Sequence, residues 1–118
     1  MANILNNILS SFFPAICLGC SDKLMHQEQH ICTKCHHNLP FTDFHKHAKN
    51  PVIDAFYGRI AIKNATALLH YKKNGMVQQL LHQLKYKGRQ EVGDILGQLL
   101  GQQLQNEASY KNIDFVIP

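Results

Sequence analysis

The sequence has no tryptophan, no cysteine outside residues 17–35, and only eight acidic residues against twelve Lys and Arg. It also lacks any run approaching the ~18 consecutive apolar residues that a membrane helix requires, which excludes a membrane-spanning α-helix. Its N-terminus has no basic region ahead of an apolar stretch. The apolar run there is broken by Asn6, Asn7, Ser10 and Ser11, and no small-x-small cleavage site follows. Those absences argue against an export signal and for a cytoplasmic chain, where thiols stay reduced and a disulfide framework is not expected. Finally, no acid at all occurs between Ala55 and Gln90, although seven basic residues do (Arg59, Lys63, Lys72, Lys73, Lys85, Lys87 and Arg89). Such a stretch suits an anionic partner, or else a solvated face whose acids come from elsewhere in the fold.

What is present is a globular composition, 45% hydrophobic and 17% charged over 118 residues. That is enough apolar surface to offset chain entropy in one modest domain, or in a small metal module plus part of another. Ile4, Leu5, Ile8, Leu9 and Phe12 recur at helical spacing and predict an amphipathic helix over residues 2–13, stopped by Pro14. Residues 15–40 carry the cysteines between short turns. Residues 41–55 are polar and read as a linker. Phe56–Ile62 and Ala65–Tyr71 predict two strands of a β-hairpin joined near Lys63-Asn64. Met76, Val77, Leu80, Leu81 and Leu84 predict a helix ending at Gly88. A second begins near Arg89, with Val92, Ile95, Leu96, Leu99, Leu100 and Leu104 on its apolar face. Gly93, Gly97 and Gly101 on that helix predict close approach of another backbone. Ile113–Pro118 reads as a buried strand whose partners lie outside the sequence, so the chain is expected to continue in its natural form.

The chemistry concentrates in two Cys-x-x-Cys pairs, Cys17/Cys20 and Cys32/Cys35, separated by eleven residues. Two such knuckles present four thiolates to one tetrahedral Zn2+, and a closed four-thiolate sphere leaves no position for substrate, so the expected site is structural. A redox pair lacks the βαβ setting it needs, disulfides lack an export signal, and iron–sulfur clusters use different spacings. His26, His30, His36 and His37 flank the knuckles, where they could replace a thiolate or donate hydrogen bonds to one. His45 and His47 with Asp43 form a weaker candidate for a second metal. No His-Glu-x-x-His or open three-ligand set marks a catalytic metal.

The order of these features resembles the ComF family, also described as double zinc ribbon and phosphoribosyltransferase-like proteins. The resemblance lies in the leading helix, the paired knuckles, Leu39-Pro40, Leu68–Gly75 and Leu80–Arg89. Its most specific part is Leu84-Lys-Tyr-Lys-Gly-Arg89, followed by a leucine-rich helix and Asp114–Pro118. The resemblance implies an α+β architecture. A zinc-ribbon-like module (1–52) would be followed by the front of an α/β phosphoribosyltransferase-like domain (53–118), comprising a β-hairpin, two helices and the first core strand. It implies a role in DNA uptake during natural competence, with competence-machinery proteins or single-stranded DNA as partners. Phosphoribosyl pyrophosphate would serve only if a C-terminal part supplies the Thr-Thr-Gly loop that is missing here. This chain alone is therefore expected to be inactive as an enzyme. Residues 41–55 also lack the further cysteine pair of many relatives, so one zinc is expected. Lys72, Lys73, Lys85, Tyr86, Lys87 and Arg89 are the candidate contacts to phosphate or nucleic acid. The alternative is a non-catalytic zinc-ribbon adaptor for nucleic acid or a protein.

Overall fold

The computed structural model describes residues 2–117. Met1 of the expected first module and Pro118 of the expected last strand lie outside the described residues. Among the described residues five α-helices follow in chain order: α1 (Ala2–Phe12), α2 (Thr33–His37), α3 (Pro51–Phe56), α4 (Met76–Tyr86) and α5 (Gln90–Gln105). Short 3-10 turns occupy Phe44–Lys46 and Ala108–Tyr110. Extended pairing among the described residues is confined to three isolated bridges. The protein is thus small, mixed and rich in helix.

The chain divides into two compact units, Met1–Leu39 with Tyr71–Val92, and Pro40–His70 with Gly93–Pro118. In the first, α1 forms as its spacing requires, although Ile4, Leu5, Ile8, Leu9 and Phe12 remain exposed. The buried apolar side chains are Cys17, Leu18, Ile31, Cys32, Cys35, Leu39, Val77, Leu80 and Val92. Val77 and Leu80 come from the inward face of α4, and Leu80 is fully shielded. Gly88 takes φ +64°, the left-handed conformation that ends a helix, and the amides of Lys87 and Arg89 both donate to the Gln83 carbonyl.

The second unit differs from expectation in four places. Residues 41–55 are ordered around Asn50, which is buried. Its Nδ2 donates to the carbonyls of Phe44 (3.3 Å), His47 (3.2 Å) and Ala65 (2.8 Å). Its Oδ1 accepts from the amides of Val52 (3.0 Å) and Ile53 (3.1 Å), capping α3, whose first residue is Pro51. The expected β-hairpin does not form, because this cap and proline start a helix that takes in Phe56, and Gly58 (φ +78°) then turns the chain. Residues 65–70 pair instead with residues 40–42. The Thr42 amide donates to Leu68, the His70 amide to Pro40, and Phe41 bridges Leu69. The Thr42 hydroxyl adds a bond to the Ala67 carbonyl, and the rings of Phe44 and His70 meet edge to face at 5.4 Å.

The third difference is at the end of the chain. Residues 113–117 form no strand, since no other extended segment among the described residues lies beside them. Ile113, Phe115, Val116 and Ile117 are accordingly exposed. The core strand of an α/β sheet is therefore not formed. The fourth is on α5, where a methyl group added at Gly97 or Gly101 would meet open space. The glycine repeat there does not mark a close helix contact at those two positions.

Candidate metal centre

Both knuckles are built by backbone turns that aim sulfur inward. Around the first, the Leu24 amide donates to Ala15 and the Cys17 amide to Asp22, with Ile16 bridging Lys23 and Ser21 turned to φ 67°. This miniature hairpin turns Cys17 and Cys20 back on themselves. Around the second, His30 (φ 62°) makes a tight corner between the bridged residues Gln29 and Ile31, and Cys32 then caps α2. The Leu18 amide donates to the His30 carbonyl at 2.8 Å and joins the two knuckles. Gly19 sits where a Cβ would lie 3.2 Å from Cys35 Sγ and 3.3 Å from Met76 Cγ, so any larger residue would crowd the centre.

The result is four sulfurs, Cys17, Cys20, Cys32 and Cys35, all within 4.8 Å of one another. A tetrahedral ion with bonds near 2.3 Å would separate its sulfurs by about 3.8 Å. Cys20 and Cys32 stand 3.8 Å apart. Three of the four are buried and Cys20 is exposed. Backbone amides point at the sulfurs: Gly19 (3.3 Å) and Cys32 (3.2 Å) donate to Cys17, and Cys35 (3.4 Å) donates to Cys32. Such donors favour the anionic form that binds a metal. Burial raises the Cys17 thiol, but the amides of Cys32, Cys20 and Gly19 outweigh it and lower its pKa to about 7. Cys35 is pushed well up, first by burial and then by sharing hydrogen bonds with Cys32, Cys20 and Cys17. Thiolates gathered this closely repel one another, and a cation held among them relieves that repulsion. The donor set fits a metal ion.

Glu28, in the loop between the knuckles, was not legible as a structural residue. Its carboxylate accepts from the amides of Thr33, the first residue of α2, and Met25. The Thr33 amide, and then that of Met25, hold its carboxyl below the usual range. It thereby pins the loop to the helix that carries Cys35.

The other expected site residues are placed as follows. Among the described residues, the four cysteines are the one group of three or more potential ligands that converges. His45 and His47 do not join Asp43 in a second centre. His45 is buried, and its Nδ1 meets no hydrogen-bond partner among the described residues, while His47 is exposed. His26, His36 and His37 are exposed and His30 is half-buried. Lys72, Lys73, Lys85, Tyr86, Lys87 and Arg89 all belong to the first unit and are all exposed. Tyr71 and Tyr86 are open to solvent too, the latter resting edge-on against His82 at 5.3 Å. No helix of the described residues is long and apolar enough to cross a membrane.

Fold and site together define a small helix-rich protein with a four-thiolate centre able to hold a metal ion. Compared with family models, curated proteins and solved structures, the chain matches none significantly.

Proposed function

We propose that Cys17, Cys20, Cys32 and Cys35 hold one structural Zn2+, and that the unit it braces is a non-catalytic binding module for single-stranded nucleic acid. The observation that carries the metal reading is the convergence of four sulfurs within 4.8 Å on two amide-lined knuckles. Zinc supplies a crosslink between the knuckles and no reaction, because four thiolates fill its tetrahedron. Four thiolates and one Zn2+ sum to a charge of −2, which the amides donating to Cys17 and Cys32 partly offset.

The binding reading draws on charge. The first unit carries seven Lys and Arg against Asp22, Glu28 and Glu91, and the second carries five of each sign. The chain's formal +4, which counts the cysteines as neutral, thus lies wholly in the cysteine unit, and +2 of it remains there when the −2 of a four-thiolate zinc centre is included. Exposed cations with exposed Tyr71 and Tyr86 among them suit a phosphate backbone and stacked bases. The ComF resemblance supports the same choice and suggests incoming DNA during competence as the setting.

Metal analysis of the purified chain tests the first half. One zinc per chain is expected, lost in Cys17→Ser or Cys35→Ser, and a metal-free wild type overturns it. For the second half, binding of labelled single strands is measured against salt. Affinity falls as salt rises, and a Lys85→Glu/Lys87→Glu/Arg89→Glu variant binds more weakly with a shallower salt slope. Binding unchanged by that variant rejects the surface, and binding to protein alone favours the adaptor alternative.

A further inference from the structure

The four sulfurs are not equivalent. Cys17 is 1% exposed and its sulfur is covered by two backbone amides, and Cys32 and Cys35 are also buried. Cys20 is exposed. It lines a shallow, open cavity of about 240 Å³ with Gly19, Lys34, Cys35, Asn38 and Met76, a recess of mixed polar and apolar lining large enough for a small solute. Reaction of a thiolate with an electrophile requires access as well as electron density, so the exposure of Cys20 against the burial of the other three sets the order in which the sulfurs react. Cys32 Sγ stands 3.8 Å from Cys20 Sγ, within reach of any adduct formed there.

We propose that Cys20 is the modification site of the centre: hydroperoxides oxidise it first, and Cys32 then closes a disulfide with it and frees the metal. The inference rests on the zinc reading above. In the first step the Cys20 thiolate attacks a peroxide oxygen. An S–O bond forms, the O–O bond breaks and hydroxide (or alkoxide) leaves, so the sulfur loses two electrons and the peroxide gains them. In the second, the Cys32 thiolate attacks the Cys20 sulfur. The S–S bond forms, the S–O bond breaks and the departing hydroxide takes a proton to become water. Only Cys17 and Cys35 then remain as donors, too few for a structural site. A dithiol reductant restores the two thiols and with them the capacity to rebind the ion.

The test uses the full chain, first shown by metal analysis to carry one zinc. It is treated with limiting hydrogen peroxide, or in parallel with iodoacetamide, while a chromophoric chelator reports released zinc and peptide mass mapping locates the adducts. Cys20 is alkylated at least about tenfold faster than any buried thiol. Peroxide yields a Cys20–Cys32 disulfide in step with one released zinc. A Cys20→His variant, which keeps a ligating atom, retains zinc and loses the peroxide-driven release. Should that variant fail to fold, the wild-type map still decides. Zinc bound but all four thiols reacting at similar rates, or release without Cys20 modification, overturns this inference alone. A chain that binds no zinc overturns the metal reading, and this inference with it.

Discussion

The two units are held together by different means. Every buried apolar residue among those described belongs to the cysteine unit, whereas the second buries only His45 and Asn50. Three of the nine buried apolar positions are the cysteines themselves. A core that small cannot be expected to hold a fold against chain entropy, and a metal held by the four cysteines would take the place that additional leucines fill in a larger domain. The second unit instead relies on one amide side chain that satisfies five backbone groups, on one bridge between residues 41 and 69, and on half-buried packing. Where apolar volume is scarce, a protein can be organised by coordination or by saturated hydrogen bonding, and this chain has a converged donor set in one unit and a saturated amide in the other.

Metal removal tests that contrast hardest. Structural zinc sites contribute apparent binding free energies of about 10–16 kcal/mol near neutral pH. Chelation is expected to raise amide exchange throughout residues 1–39 and 71–92 and to leave Asn50 and its partners protected. Equal loss in both units, followed by hydrogen-exchange mass spectrometry, would erase the distinction. Metal uptake should also strengthen as pH rises, because binding displaces the proton that Cys35 holds most firmly, and a competitive titration at several pH values measures this.

Two single substitutions probe the units separately. Leu80→Ala should cost the first unit about 2–5 kcal/mol in denaturant unfolding of the metal-loaded chain. Asn50→Ala should cost the second about 2–3 kcal/mol, by removing a helix cap and orphaning buried carbonyls. Asn50→Asp separates the two parts of that loss, since a carboxylate still caps α3 but cannot donate to Phe44, His47 or Ala65. Smaller still, and of opposite sign, Gly97→Ala should stabilise α5 by up to about 1 kcal/mol, because the site is open and alanine has the better helix propensity. The least effect is expected from Glu28. Its carboxyl is lowered by the amides of Thr33 and Met25, so its contribution is complete above the ordinary glutamate range and fades as pH falls through the lower folded value. Glu28→Gln should remove that pH dependence in thermal melts between pH 5 and pH 3, measured relative to wild type.

The cysteine unit was the more legible from sequence, for physical reasons. Ligand spacing is a local property, and the periodic apolar residues of α1 and α4 announce helices before any tertiary contact exists. The end of α4 at Gly88 was legible too, since few residues other than glycine accept φ +64°. Strand pairing is not local. Residues 65–70 have a strand-like composition, yet they find Phe41 rather than the nearer residues 56–62, whose first member ends the helix that Asn50 and Pro51 start and whose next residues turn at Gly58. That Asn-Pro pair was a readable signal, an N-cap followed by the residue best suited to the first helical position. Reading residues 41–55 as a linker passed over it. Glu28 left no comparable mark, because its partners are amides five residues ahead and three behind, set by the fold of the loop.

Cys32 has a consequence for how the centre fills. Its backbone amide donates to Cys17 Sγ in the other knuckle, while its own sulfur caps the five-residue helix that carries Cys35. A helix of that length has no standing of its own. Neither pair of thiolates can therefore be arranged for an ion without the other being arranged as well. Metal loading would then be cooperative at the level of single bonds, and a stoichiometric metal titration should pass from empty to full in one step, with no half-ligated species accumulating between.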